Sequence, residues 1–87
     1  MPHTVTLYTK PGCHLCDDAR DIVDDVVGRV QASDHLDVAV DELDILADPA
    51  LQTRYGEEIP VVLIDGKMHT YWRVDAARFE KALKELA

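Results

Sequence analysis

Basic clusters, long apolar runs and cysteines are all scarce in this 87-residue chain, and each scarcity removes a class of function. Nine Lys and Arg stand against 17 Asp and Glu, for a formal net charge of −8. No basic run interrupts that surplus, so neither nucleic acid nor an anionic membrane surface is an expected partner. There is no stretch of about 18 apolar residues, so no bilayer-spanning helix is expected. The opening MPHTVTLYTK lacks a charged segment leading into an apolar one. No secretory signal is therefore read, and a cytoplasmic location is expected. Two cysteines are too few for a disulfide scaffold, and a lasting structural disulfide is unusual in the cytoplasm.

What is present suits one small globular domain over residues 1–87, expected to act as a monomer. Apolar residues make up 47% of the chain, enough for a modest core. Thr4–Thr9 alternates Val5 and Leu7 with threonines and reads as a strand, ended by Pro11-Gly12. From Cys13 onward Leu15, Ala19, Ile22, Val23, Val26, Val27 and Val30 recur at helical spacing, with Asp17, Asp18, Asp21, Asp24 and Asp25 on the other face. A second strand lies in HLDVAVDELDIL. Val38 and Val40 share one phase and Leu43 and Ile45 the other, so a bulge or an offset start is expected there.

Asp48, Pro49 and Gly56 then bracket a short helix with the N-cap, first-turn proline and terminal glycine it favours. PVVLI is a continuous apolar run suited to a strand buried on both faces. Asp65-Gly66 makes a two-residue hairpin turn into KMHTYW, whose Trp72 reads as a packing residue on the last strand. Asp75 caps the final helix, and Val74 is placed to pack on Phe79 across that cap. The order is β-α-β-α-β-β-α, an α/β fold with a central four-stranded mixed sheet flanked by helices.

That order puts Cys13 and Cys16 where the first strand meets the first helix, the usual place for chemistry in an α/β sheet. Residues three apart on a helix lie about 5–6 Å apart at Cβ, close to what a disulfide tolerates. Cys13 at the helix start faces unpaired N–H groups and the positive end of the helix dipole, which favour a thiolate. Cys16, one turn further in, is more shielded. Cys13 is thus the attacking thiol and Cys16 the resolving one. Lys10 and a protonated His14 favour the thiolate while Asp17 and Asp18 oppose it, and a depressed Cys13 pKa is the expected balance. Two other readings stay open on the residues alone, a metal or cluster site and a pair of ordinary core residues. A closed zinc site needs four ligands, and His3, His14, His35 and His69 are scattered without ligand spacing, so no metal ligand is assigned.

VTLYTKPGCHLC resembles the opening of glutaredoxins, in which a strand ending Tyr-Ser/Thr-Lys precedes C-x-x-C. YGEEIPVVLIDGK is similar to the stretch around their cis-proline, and LDILADP to the end of their second strand. The resemblance runs from about His3 to Lys67. It implies the thioredoxin fold and a thiol–disulfide oxidoreductase with Cys13 as nucleophile and Cys16 as resolving thiol. It also implies that Lys10 touches the carboxylate end of glutathione or a peptide. Pro60, after a cis Ile59–Pro60 bond, would present Ile59 backbone groups to a substrate strand. Lys10, His14, Ile59 and Pro60 are the expected substrate-facing set.

No bound cofactor is expected, and glutathione is a candidate co-substrate. The implied partners are a disulfide-containing protein or a glutathione mixed disulfide, and a reductant that is either glutathione or an enzyme resembling thioredoxin reductase. An iron–sulfur cluster shared between two chains, or a non-enzymatic binding module, are the alternatives.

The chain departs from the glutaredoxin pattern after the hairpin. HTYWRVDAARF has no Gly-Gly pair of the kind that holds the γ-glutamyl end of glutathione. The YWRVD segment is similar to that of a glutaredoxin-like group of small bacterial proteins. It is also similar to redoxins reduced by thioredoxin reductase, which carry a Trp at a like place. Gly12 stands where thioredoxins have a Trp before the first cysteine, and the first strand lacks their buried acid.

Overall fold

A computed structural model describes residues 2–86. Four strands and three helices follow the expected order: β1 (His3–Thr9), α1 (His14–Asp34), β2 (Val38–Asp44), α2 (Pro49–Tyr55), β3 (Val61–Ile64), β4 (Lys67–Tyr71) and α3 (Ala76–Lys84). A single 3-10 turn, Ile45–Ala47, joins β2 to α2. The sheet order is β2-β1-β3-β4. β1 and β2 are parallel, across the α1 crossover, while β1–β3 and β3–β4 are antiparallel.

The period of two in the strands sorts their side chains into two cores. Val5 and Leu7 of β1 and Val62 of β3 pack with Val23, Val26, Val27 and Val30 of α1 and with Phe79 and Leu83 of α3. Val61 and Leu63 join Cys16, Ile45, Tyr55 and Ile59 in the second cluster, on the α2 side. The apolar run of β3 is therefore buried on both faces, as its composition required. Each helix starts on an acidic or sulfur cap. Asp48 accepts the Ala50 N–H at 2.9 Å and Asp75 the Arg78 N–H at 3.1 Å. Val74 packs against the cluster that holds Phe79, as a residue before a cap does when it meets the fourth helical position. The hairpin turn has positive φ at both Asp65 (51°) and Gly66 (83°), the requirement of a type I′ turn. The Asp65 carboxylate also accepts the Thr4 N–H at 2.9 Å and bonds His3 Nδ1 at 2.7 Å, tying the turn to β1. Those bonds, the one from Thr4 first, hold the Asp65 pKa below the ordinary carboxylate value.

One expectation is corrected. β2 pairs with β1 in unbroken register from His3↔Val38 to Thr9↔Asp44, without a bulge. The phase change arises because the strand stops at Asp44: Leu43 stays exposed on an uncovered edge, and Ile45 turns inward on the 3-10 turn. The sheet's irregularity lies instead between β3 and β4, where Val62 faces Thr70 but Leu63 faces Met68, leaving His69 as the extra residue of a bulge. Gly56 ends α2 as read, with φ −53°. Glycine fits there because a Cβ would come within 2.5 Å of the Gln52 carbonyl oxygen, not because the backbone turns left-handed.

His69 sits at that bulge with its ring 5.6 Å from the Phe79 ring, and its buried Nε2 has no partner among the described residues. Burial, and secondarily the nearby Arg78, push its pKa below the ordinary histidine value.

Candidate active site

Thr9, buried at the end of β1, leads into a turn through Lys10, Pro11 and Gly12. Gly12 has φ +75°, a conformation that costs a side-chain-bearing residue and that delivers the next residue to the helix. Cys13 is the N-cap of α1, with extended φ −98° and ψ 113°. Its sulfur accepts the Cys16 N–H at 3.2 Å, the contact that Ser, Thr, Asp or Asn oxygen makes at other helix starts. Negative charge on that sulfur is favoured, because it lies against the unpaired N–H groups of the first turn. Cys13 is half-buried, whereas Cys16 is 0% exposed and packed in the second core. The two cysteines pair, with Cα atoms 5.2 Å apart.

Ile59 and Pro60 stand beside this pair. Ile59 shares the cluster that holds Cys16 and against which Cys13 packs. The Ile59–Pro60 peptide is cis, and Pro60 is fully buried. Tyr8 stacks on Tyr55 at 5.0 Å under the same cluster, which closes the α2 side of the site. Lys10 and His14 are both exposed at its rim. Lys10 lines a cavity of about 180 Å³ together with Gly12, Asp17, Arg20, Glu42 and Asp44. Cys13, Cys16 and Ile59 thus meet in one cluster, while Lys10 and His14 border it without entering.

Two groups near the site escaped the sequence reading. The first is an ion-pair network. Arg20 donates from Nε to Glu42 Oε1 at 2.6 Å and from Nη2 to Glu42 Oε2 at 2.7 Å, and from Nη1 to Asp17 Oδ1 at 2.9 Å. Thr9 Oγ1 donates to the same Glu42 at 3.1 Å. The Arg20 hydrogen bonds, partly offset by burial, hold the Glu42 pKa below the ordinary carboxylate value, and they raise that of Arg20. The i,i+3 spacing of Asp17 and Arg20 was visible, but the Glu42 partner depends on the register of β2.

The second group is Trp72. It lies beyond β4, has φ +66° and is 53% exposed, so it is not a packing residue on the strand. Its backbone N–H donates to the carbonyls of Pro60 (2.8 Å) and Glu58 (3.2 Å), and Nε1 donates to the Glu57 carbonyl at 2.9 Å. Hydrogen bonds to residues 57, 58 and 60 hold a bulky side chain in a backbone conformation that ordinarily disfavours it.

A family description, Glutaredoxin-like domain (DUF836), matches residues 4–84. The chain belongs to the glutaredoxin-like domain family. It is 32% identical over 74 residues to the uncharacterized protein Rv0508 of Mycobacterium tuberculosis and to Mb0520 of Mycobacterium bovis, spanning 85% of this chain and 75% of each relative. The X-ray structure of target protein XcR50 from X. campestris superposes with a TM-score of 0.71 at 30% identity, covering 95% of this chain and 97% of that one. The crystal structure of a mutant of the thioredoxin-like protein BC3987 superposes with a TM-score of 0.60 at 19% identity, over 91% of this chain and 95% of that one. The fold of this glutaredoxin-like protein is therefore thioredoxin-like, with a close Cys13–Cys16 pair in C-x-x-C spacing. Among the described residues no three His, Cys, Asp or Glu side chains are arranged to hold a metal ion, and no helix is long and apolar enough to cross a membrane.

Proposed function

We propose that this glutaredoxin-like protein is a dithiol thiol–disulfide oxidoreductase. The observation that carries the reading is the asymmetry of the pair: Cys13 caps the helix at a half-open position, and Cys16 is sealed in the core behind it. The Cys13 thiolate attacks one sulfur of a substrate disulfide, forming a mixed disulfide and releasing the other sulfur as a thiolate that takes up a proton. Cys16, losing its proton, then attacks Cys13 Sγ. This expels the second substrate sulfur and leaves the Cys13–Cys16 disulfide. Two electrons pass to the substrate, and an external thiol or dithiol reductant returns them. Ile59 and Pro60 form the wall against which the substrate chain lies, and Lys10 and His14 offer a rim for its carboxylates.

The substrate class is a protein disulfide or a glutathione mixed disulfide, acted on by a monomer in the cytoplasm without a bound cofactor. The chain has no Gly-Gly after the hairpin, and Trp72 and Arg73 occupy that loop. A reductase-type donor is for that reason the reading we favour over glutathione. Insulin reduction coupled to either glutathione and its reductase or thioredoxin reductase tests both parts. Cys13→Ser should abolish turnover with any donor, and Cys16→Ser should accumulate a mixed disulfide at Cys13. Absence of exchange with every disulfide and reductant tried would overturn the enzyme reading.

A further inference from the structure

Thr9 stands four residues before Cys13 and Asp17 four residues after it, and both are fixed to one Arg20–Glu42 pair. Asp17 also donates its backbone N–H to the Cys13 carbonyl at 3.1 Å. The segment carrying the dithiol is thus held at both ends by a single guanidinium–carboxylate unit that links α1 to the β2 edge. The local charge makes that unit more than a brace. Around the cavity beside Gly12, three carboxylates (Asp17, Glu42, Asp44) meet two cations (Lys10, Arg20). Without Arg20, three negative charges would face Lys10 alone on the side of the site where α1 begins.

We propose that Arg20 is the positioning residue that sets the reactivity of Cys13, by holding Asp17 and Glu42 as its own partners and offsetting their charge. The inference rests on the dithiol reading above. Each Arg20 donor nitrogen is committed, two to Glu42 and one to Asp17, a bidentate-plus-one arrangement that lysine cannot copy. Other charged groups beside Cys13 on α1 are His14 and Asp18, and Glu57 and Glu58 stand in the loop that leads to Ile59; none of them changes in the variants that follow. Arg20 lies seven residues along α1 from Cys13, a rise of about 10 Å. A unit charge at that distance through water of low ionic strength shifts a thiol by about 0.3 pH units.

The test is the pH midpoint of Cys13 alkylation by iodoacetamide at low ionic strength in a Cys16→Ser background, where Cys13 is the single thiol. Arg20→Met should raise the midpoint by about 0.3 pH units, and Glu42→Gln should lower it by a similar amount. Arg20→Lys, which keeps the charge but not the fork, should fall between wild type and Arg20→Met. A brace without an electrostatic role would move the Met and Gln variants in the same direction, or neither, and either result overturns the proposal. If Arg20→Met does not fold, Glu42→Gln and Arg20→Lys still decide it by the sign of their shifts. Alkylation requires no disulfide substrate, so a protein that exchanges no disulfide would refute the proposed function while leaving these midpoints to be judged separately.

Discussion

In the reduced protein, Cys13 should alkylate far faster than Cys16, and the ratio can be worked from their surroundings. Cys16 has no exposed surface and is enclosed by Ile45, Tyr55, Ile59, Val61 and Leu63. A reagent reaches it only when part of that cluster opens. Each aliphatic side chain uncovered costs about 1.5–3 kcal/mol, so even the smallest useful opening costs about 3 kcal/mol. At about 1.4 kcal/mol per factor of ten, Cys16 should react about 100-fold more slowly than an open thiol. The helix-start position of Cys13 should widen the gap, because the unpaired N–H groups of the first turn favour a thiolate there. Sub-stoichiometric iodoacetamide followed by peptide mass spectrometry measures the ratio directly. Ile59→Ala, which removes part of the cover, should cut it by about tenfold. Comparable labelling of the two cysteines in the native protein would refute both the burial argument and the division of labour between them.

Phe79→Ala should cost about 3–4 kcal/mol in denaturant unfolding and lower the melting temperature by more than about 10 °C, because Phe79 is 0% exposed between α3 and the sheet; a loss below about 1 kcal/mol would contradict that packing. Acid should destabilise the fold in two steps. His69 has a depressed pKa, so the unfolded chain binds its proton first, and stability falls as pH drops below the unfolded value of about 6.5. Glu42 and Asp65 are depressed carboxylates whose contribution is full above about pH 5 and is lost as pH falls through their lower folded values. Urea midpoints should therefore decline between about pH 7 and pH 5 in the wild type, and His69→Phe should flatten that limb alone. An unchanged slope in His69→Phe would remove His69 as its source.

Features with local causes were legible in the residues. Pro11-Gly12 punctuates the chain before Cys13, the valines of α1 repeat at helical spacing, Asp48 and Asp75 sit where a short carboxylate satisfies nearby helix N–H groups, and Asp65-Gly66 has the residues of a two-residue hairpin turn. The dithiol's position followed from those signals and needed no tertiary information. What escaped depends on contacts between distant segments. The alternation of Val38, Val40 and Leu43 does not say where β2 stops, and Glu42 finds Arg20 only once its register on β1 is fixed. Trp72 looked like a strand residue because Thr70 and Tyr71 before it are strand formers. Its actual place is set by carbonyls at residues 57, 58 and 60 that no local pattern announces. His69 as a bulge residue is likewise a property of the pairing of two strands.

The sheet ends on two strands of different character, and together they limit what the molecule can join. β2 presents the exposed Asp41 and Asp44 along an outer rim, so a second copy approaching there brings like charge onto like charge. β4, on the far side, breaks its pairing rhythm at His69, which bends the row of free backbone groups away from a straight ladder. Open strand edges invite growth of the sheet from one molecule to the next. Here one edge repels a copy and the other offers it no even template. Neither rim of the four-stranded sheet is thus an inviting template for a second copy, which works against the commonest route by which small β-containing chains stack and bury their own surfaces.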